Sequence, residues 1–162
     1  GHEVDSLTPL LQDLPQVNWV HNPDYRQGKT TSVKTGVSWL LEQDHITDLQ
    51  GILVLNVDQP RNPETIRRVM DLHTKQKMAG GSHYLFTIPT LNGKGGHPII
   101  MDISLLPEVM EISEETQGLK ALVRKYEDRT QRFEMDTREI LLDLNTAEDY
   151  KMAVEYFDKP SV

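Results

Sequence analysis

An aspartate follows the most apolar run of the chain and is placed to act as a metal ligand. Ile52-Leu53-Val54-Leu55 has the length and composition of a strand buried on both faces, and Asp58 comes three residues later, within Asn56-Val57-Asp58-Gln59-Pro60. Ligands of open α/β sheets bind outside the carboxyl ends of the strands. A carboxylate there could hold Mg²⁺ on a bound phosphate, but an Asp that ends a strand is also common as a turn residue.

A small-residue turn opens a predicted helix at Gly28-Lys29-Thr30. A Walker P-loop would need a further glycine five residues before Gly28, and the chain has Pro23 there. What remains is a turn from Gly28 to Ser32 whose helix N-terminus favours an anion. An ordinary helix cap is the alternative interpretation.

Two later segments hold further polar candidates. Leu142-Asp143-Leu144-Asn145-Thr146 is rich in oxygen ligands, although helix capping by itself explains Thr146. Gly95-Gly96-His97-Pro98 puts a histidine in a glycine loop, where it could approach a ligand closely or belong to a flexible hairpin. Neither segment identifies a reaction without the rest of the chain.

Several kinds of catalytic site are excluded by residue types and spacing. The chain has no cysteine, which removes disulfides, thiolate nucleophiles and iron–sulfur ligation. Its six histidines form neither an H-E-x-x-H motif nor an i, i+4 pair, and no G-x-S-x-G motif is present. Any metal is therefore expected to be a hard cation on oxygen ligands, or to use histidine.

Length and charge favour one acidic globular domain over residues 1–162. Seventeen basic and 25 acidic residues give a net charge of −8 without a clustered basic face, so no nucleic acid is expected as a partner. No apolar run approaches the ~20 residues of a membrane span, and the N-terminus lacks a signal pattern. We therefore expect a cytoplasmic protein without membrane contact.

The spacing of apolar residues predicts alternating strands and helices in the first half of the chain. The predicted order is a β-prone run at 17–20, a helix over 33–41, the strand at 52–55, a helix that begins at Pro63 after Asn62, and a strand at 84–88. This alternation favours parallel βαβ units and hence a three-layer α/β/α sandwich with a mostly parallel sheet.

The second half of the chain predicts a return strand and a well-capped last helix. Residues 91–98 read as a loop, and the strand at 99–101 is expected to be antiparallel because too few residues separate it from Ile88 for a helical crossover. A helix over 119–126 and strand pieces at 132–135 and 140–142 follow. Thr146 and Asp149 approximate a capping box for a helix whose predicted apolar face is formed by Tyr150, Ala153, Val154 and Phe157.

Five segments in this order resemble the molybdenum cofactor cytidylyltransferases and, more broadly, the nucleotidyltransferases related to the molybdopterin guanylyltransferases. The segments span nearly the whole chain, and each is weak alone. They are Asn22-x-x-Tyr25-x-x-Gly28 running into Ser32-Val33-Lys34-Thr35-Gly36, then Val57-Asp58-Gln59-Pro60, Gly96-His97-Pro98-Ile99, Gln117-Gly118-Leu119-Lys120-Ala121-Leu122 and Leu142-Asp143-Leu144-Asn145-Thr146-Ala147-Glu148-Asp149-Tyr150.

The resemblance implies a Rossmann-like fold of the nucleotide-diphospho-sugar-transferase type. It also implies a Mg²⁺-dependent reaction in which CMP from CTP, or GMP from GTP, is transferred to molybdopterin cofactor and pyrophosphate is released. It implies that Asp58 is the catalytic Mg²⁺ ligand and that Asn145 is a second ligand, although the family has Asp there. The implied nucleotide-binding residues are Asn22, Gly28, Thr31, Ser32, Asp58, Gln59 and Pro60, and the implied acceptor-binding residues are Gly96, His97, Pro98, Gln117 and Gly118. A molybdoenzyme or its chaperone is the further partner implied.

The chain departs from this family at its beginning. The family's Gly-rich triphosphate loop and first βαβ unit are not in these residues, so the resemblance implies an N-terminally incomplete domain that does not turn over alone and whose strand at 52–55 lacks a neighbour. Two alternatives stay open: a non-catalytic nucleotide- or cofactor-binding module, and a nucleotidyltransferase acting on a sugar or alditol phosphate.

Overall fold

The computed structural model describes residues 1–11, 13–78 and 84–158. The chain divides into two compact units, each assembled from two stretches of sequence. Unit 1 comprises Gly1–Leu49 and Ser104–Glu127, and unit 2 comprises Gln50–Ile103 and Asp128–Val162. The single domain expected over residues 1–162 stays a prediction.

Unit 2 is built around a five-stranded mixed sheet. Its strands are β1 (Gly51–Val54), β2 (Phe86–Leu91), β3 (Lys94–Gly95), β4 (Ile99–Asp102) and β5 (Thr130–Glu134). β4 lies between β1 and β2 and is antiparallel to both, whereas β5 is parallel to β2. β1, β2 and β5 therefore share one direction, and β4 runs against them. This confirms the α/β class and the antiparallel strand predicted at 99–101.

The register of the sheet brings two loops to the same end of unit 2. Val54, the last residue of β1, is paired with Ile99, the first residue of β4. In an antiparallel pair, the end of one strand lies beside the start of the other. The segment after β1, which carries Asp58, and the segment before β4, which carries His97, consequently leave the sheet side by side.

Helix α3 (Pro63–Met78) packs on β2 and β4 and closes the core of unit 2. The core cluster joins one helical residue, Val69, to Ile100 of β4 and to Met135 and Ile140, which follow β5. Leu53, Leu91, Phe133 and Leu141 pack against it. The residues that follow β5 are thus held against the sheet by apolar burial, which also fixes the neighbouring polar segment 142–145.

The remaining α-helices are α1 (Val4–Leu11), α2 (Lys29–Leu41), α4 (Leu106–Val109) and α5 (Leu119–Lys125) in unit 1 and α6 (Ala147–Phe157) in unit 2. Short 3₁₀ helices cover Tyr25–Gln27, Ile46–Asp48, Ile103–Leu105, Glu127–Arg129 and Arg138–Leu141. In unit 1, α4 contacts both α2 and α5. Over the described ranges, no helix combines the length and the apolar character needed to span a bilayer.

Two sequence predictions of strands were wrong. Residues 17–20 form no strand, and Val17, Trp19 and Val20 stay largely exposed, because β-prone side chains form a strand only where a neighbouring strand pairs with them. In the piece predicted at 140–142, Ile140 and Leu141 belong instead to the 3₁₀ helix Arg138–Leu141, and Leu142 follows that helix in an extended conformation. The hydroxyl of Thr137 caps that helix by accepting a hydrogen bond from the Glu139 amide.

Three predictions of burial and loop structure also need correction. β1 is half-buried along its whole length and not buried on both faces, since within the described ranges it pairs with β4 alone. Residues 91–98 contain a tight hairpin in which β3 pairs with β2 through the turn at Asn92-Gly93. On α6, Ala153 is buried but Tyr150 is 61% exposed, so the predicted apolar face is only partly covered.

The capping box at the start of α6 is confirmed, and it predicts a contribution to stability that can be measured. Thr146 Oγ1 accepts a hydrogen bond from the Asp149 amide, and the Asp149 carboxylate accepts one from the Thr146 amide. We expect Thr146→Ala to lower the free energy of unfolding by about 1 kcal/mol, measured by urea denaturation. Thr47→Ala, at an exposed threonine outside any cap, is the matched control, and an equal loss in both variants would contradict the role of the cap.

Candidate functional site

Asp58 lies in unit 2 on the loop between β1 and α3, with part of its carboxylate turned inward. Asp58 Oδ1 is buried and accepts no hydrogen bond from any described residue. The loop itself is fixed by backbone contacts: the Gln59 amide donates to the Asn56 carbonyl over 3.1 Å, and the Leu144 amide donates to the Asp58 carbonyl over 2.8 Å. Because a buried, unpaired carboxylate oxygen is costly, its position indicates a missing cationic or donor partner.

The second oxygen-rich segment lies against the Asp58 loop. Gln59, buried except for 6% of its surface, places its Nε2 3.5 Å from Asp143 Oδ1. The backbone amide of Asn145 donates a hydrogen bond to the backbone carbonyl of Asp143 over 3.1 Å. The structure therefore brings the predicted metal residues Asp58 and Asn145 onto adjoining segments and adds Asp143 to them.

These oxygen donors suit a hard cation that also binds a phosphate. The described residues contain no group of three or more His, Asp or Glu side chains able to hold a metal. Mg²⁺ in nucleotide sites is commonly held by one or two carboxylates together with substrate phosphates and water. The carboxylates of Asp58 and Asp143, which lie on adjoining segments, match that smaller donor set, and Asn145 lies two residues after Asp143 on the same segment.

Arg61 binds the surrounding loops through its guanidinium. Its Nε donates to the His97 carbonyl over 3.0 Å, its Nη1 to the Pro60 carbonyl over 2.6 Å, and its Nη2 to the carbonyls of Ile140 at 3.0 Å and Leu142 at 3.1 Å.

The charge of this half-buried arginine is balanced by acids. Burial lowers the pKa of Arg61 from its ordinary value, while the charges of Glu139, Asp143 and Asp58 act to raise it. Arg61 stays protonated at any physiological pH, because an arginine pKa lies far above it. Its positive charge thus partly offsets the negative charge around Asp58.

A buried carboxylate fixes the start of α3 to the segment after β5. Glu139 is 1% exposed and accepts two hydrogen bonds from Asn62, one from the backbone amide at 3.2 Å and one from Nδ2 at 2.7 Å. Buried carboxylates are tolerated where donors of this kind satisfy them. Asn62, expected from the sequence as a helix cap, therefore also joins α3 to Glu139.

The predicted acceptor loop is closely packed against the same segment. The Gly96 amide donates to the Pro89 carbonyl over 2.8 Å, and the His97 amide donates to the Ile140 carbonyl over 2.9 Å. A Cβ atom on Gly96 would lie 2.5 Å from the Ile140 carbonyl oxygen. Glycine is therefore needed at position 96 for backbone approach, a role the sequence could not separate from ligand binding.

In unit 1, Asn22 supports the start of α2 and is itself buried. Its Nδ2 donates to Thr31 Oγ1 and to Ser32 Oγ, both at 2.9 Å, and its Oδ1 accepts a hydrogen bond from the Asp24 amide at 3.0 Å. The side-chain amide is consequently engaged within the protein. Asn22 orients Thr31 and Ser32, the two hydroxyl residues that the resemblance places at the nucleotide.

The N-terminus of α2 already faces an anion, the carboxylate of Glu114. Glu114 Oε1 accepts a hydrogen bond from the Thr30 amide at 2.6 Å. A Cβ atom on Gly28, whose φ is +118°, would overlap this carboxylate. The hydrogen bond from Thr30, aided by the charge of Lys29, lowers the pKa of Glu114. The anion favoured by this helix start is therefore supplied, in this structure, by the chain itself.

Gln117 and Gly118 also lie beside the turn of residues 28–32. Both have positive φ, +68° and +56°, and a Cβ atom on Gly118 would come within 2.9 Å of Thr30 Oγ1. In unit 1, the turn of residues 28–32, which the resemblance assigns to the nucleotide, therefore lies beside Gln117 and Gly118, which the resemblance assigns to the acceptor. In unit 2, neighbouring loops carry Asp58, Gln59, Pro60, His97 and Asn145.

The sequence patterns did not predict four residues that hold or flank the candidate sites. These are Arg61, Glu139, Asp143 and Glu114. Asp143 lay inside the noted oxygen-rich segment, and Arg61 directly follows the Asp-Gln-Pro run, so proximity in sequence was a usable signal for these two. Glu114 is 84 residues from Thr30, and Glu139 is 77 residues from Asn62. No local pattern could reveal such distant pairs.

The MobA-like NTP transferase domain family matches residues 2–130. The chain belongs to this family. The molybdenum cofactor cytidylyltransferase of Escherichia coli (strain K12) is 25% identical to it over 158 residues, which are 97% of this chain and 72% of that protein. The recognition made from the five sequence segments is confirmed.

Two solved structures show a similar fold. Rv0371c from Mycobacterium tuberculosis H37Rv, crystallised with manganese, has a TM-score of 0.56 and 20% identity, covering 75% of this chain and 59% of that one. A homologue of Rv0371c from Mycobacterium sp. strain JC1 has a TM-score of 0.55 and 18% identity, covering 77% of this chain and 56% of that one. The chain thus spans less than two thirds of these solved proteins.

The close contact of Gly96 with Ile140 predicts that an alanine at position 96 destabilises the protein, and Gly36 in α2 offers a control position. We expect Gly96→Ala to lower the free energy of unfolding by about 1–3 kcal/mol, because a backbone carbonyl must shift to admit the methyl group. Gly36→Ala, in α2 with no atom within 4 Å of the new Cβ, is expected to raise it by up to about 1 kcal/mol. Urea denaturation of both variants measures the difference, and a neutral Gly96→Ala would contradict the close packing.

Glu114 predicts a pH dependence of stability in unit 1. Since folding lowers the pKa of Glu114, its stabilisation is present above its ordinary value of 4.5 and is lost as the pH falls through the lower folded-state pKa. Glu114→Gln should therefore be less stable than wild type at neutral pH, and the gap should narrow in acid. Thermal denaturation across this range measures it, with Glu115→Gln on the exposed neighbour as control; a gap independent of pH would contradict the linkage.

Proposed function

We propose that the protein is a metal-dependent nucleotidyltransferase that joins CMP or GMP to the terminal phosphate of molybdopterin cofactor. The observation that carries this proposal is an oxygen of Asp58, on the loop after β1, that is buried without a hydrogen-bond partner among the described residues, in a chain of the MobA-like NTP transferase family. A carboxylate in this place, with Asp143 beside it, is what a metal-bound triphosphate requires.

Asp58 and Asp143 would hold the cation, Mg²⁺ or Mn²⁺, with Asn145 as a further oxygen ligand. The crystal structure of Rv0371c with manganese supports a divalent cation in this fold. When bound, the ion supplies positive charge that stabilises negative charge developing on the phosphates. The chain's own contribution is to fix these oxygens, because the backbone hydrogen bond from Leu144 to Asp58 joins the two segments that carry them.

The reaction needs no covalent bond to the protein. A terminal phosphate oxygen of the acceptor forms a bond to the α-phosphorus, the bond between that phosphorus and the bridging oxygen breaks, and pyrophosphate leaves with the electron pair. Such transfers depend on position and on charge stabilisation more than on acid–base groups. Loops fixed by backbone hydrogen bonds serve that need.

The substrates are assigned by the family motifs. In unit 1, the turn from Gly28 to Ser32, whose hydroxyls Asn22 orients, carries a family motif for the nucleotide, CTP or GTP; in unit 2, Gln59 and Pro60 carry another. The family motifs for the acceptor are Gly96, His97 and Pro98 in unit 2 and Gln117 and Gly118 in unit 1. Identity to a cytidylyltransferase supports CTP as the nucleotide. Delivery to a molybdoenzyme or its chaperone in the cytoplasm is the corresponding cellular role.

Asp58→Asn tests the proposal directly. It removes the charge and keeps the shape of a side chain whose buried oxygen has no partner to lose, so Tm should stay within a few degrees of wild type. We expect Mn²⁺ binding, followed by electron paramagnetic resonance, to be lost, and nucleotidyl transfer to fall by about 100-fold or more. Transfer is measured on the full-length protein that contains residues 1–162, because this chain is not expected to turn over alone, as pyrophosphate released from CTP or GTP with Mg²⁺ and molybdopterin cofactor.

Asp71→Asn, at an exposed position on α3, is the matched control and should behave as wild type in both assays. Wild-type Mn²⁺ binding by Asp58→Asn would refute the metal site. Metal-dependent nucleotide binding without any transfer would favour a binding module, and transfer only to a sugar or alditol phosphate would replace the proposed acceptor.

A further inference from the structure

One guanidinium in unit 2 connects three chain segments through backbone atoms alone. Within the described ranges, the hydrogen bonds of Arg61 all end on neutral carbonyl oxygens, at Pro60, His97, Ile140 and Leu142. These carbonyls belong to the Asp58 loop, to the loop before β4 and to the segment that leads to Asp143.

The geometry of this contact can be provided by arginine but not by lysine. A guanidinium has five donors in a planar fork, so it can serve acceptors in several directions at once. A lysine ammonium is a single point with three donors on a flexible stem. Substituting Arg61 by lysine therefore keeps the positive charge and loses several of the four hydrogen bonds.

The fold has other connections between the same segments. Glu139 binds Asn62, the Leu144 amide binds the Asp58 carbonyl, and the His97 amide binds the Ile140 carbonyl. Loss of the Arg61 contacts should thus loosen the loops without unfolding unit 2. Arg61 differs from these pairs because it joins the Asp58 loop and the His97 loop through one rigid group.

We propose that Arg61 is a positioning residue that fixes the Asp58 loop, which carries the metal and the nucleotide, relative to the His97 loop, which carries the acceptor. This inference rests on the proposed function for the meaning of the two loops. In-line transfer requires both substrates to be held in a narrow range of positions, and a shift of about 1 Å is enough to slow it strongly. Arg61 supplies that restraint through its hydrogen bonds to backbone carbonyls of the loops.

Arg61→Lys and Arg61→Gln test the proposal by separating position from charge. For both variants we expect faster amide hydrogen exchange at His97 and Leu144 and about 10-fold weaker Mn²⁺ binding by electron paramagnetic resonance. In the full-length protein that contains residues 1–162, we also expect a lower kcat at saturating substrates. Arg67→Lys, at an exposed position on α3, is the control and should match wild type. Tm reports whether each variant is folded, and Arg61→Gln alone decides the test if Arg61→Lys does not fold.

A purely electrostatic role predicts a different pattern. Arg61→Lys would then match wild type, while Arg61→Gln would bind Mn²⁺ more tightly because a neighbouring positive charge is gone; this result would overturn the proposal. Unchanged hydrogen exchange at His97 and Leu144 in both variants would also overturn it. If Asp58→Asn keeps its Mn²⁺, the proposed function has failed, and hydrogen exchange still decides whether Arg61 restrains the loops.

Discussion

The position of β4 between β1 and β2 is the constraint on which the candidate site depends. Because β4 runs against both neighbours, the segment leaving β1 and the segment entering β4 meet at one end of the sheet. β5, parallel to β2, delivers its own following segment to that end as well. Three stretches distant in sequence are thereby gathered before any side chain is considered.

Charge then determines what this end of the sheet can bind. The charges of Asp58, Asp143 and Glu139 all act on the guanidinium of Arg61. Glu139 is satisfied by Asn62, whereas the buried oxygen of Asp58 has no partner among the described residues. The unmet demand for positive charge is consequently local to Asp58. A divalent cation with phosphate oxygens completing its shell fits this imbalance.

In unit 1, by contrast, the polar groups at Asn22 and at the start of α2 form hydrogen bonds with other residues of the chain. The amide of Asn22 is occupied by Thr31, Ser32 and Asp24, and the start of α2 is occupied by Glu114. Gly28 permits that carboxylate to approach, since any side chain at position 28 would overlap it. A phosphate at the start of α2 would have to compete with Glu114, so this helix start differs from an empty anion site.

Periodicity, local caps and short motifs were enough to predict the α/β class, most helices and strands, the capping box of α6 and the family. The sequence also singled out Asp58, whose meaning comes from its place directly after a strand. The tertiary structure was needed to show that residues 140 and 141 lie in a 3₁₀ helix, that β1 is half-buried, and that Arg61, Glu139 and Glu114 hold the loops. Those contacts join residues up to 84 positions apart. The residues next to a side chain in sequence do not indicate which distant backbone atom that side chain will contact.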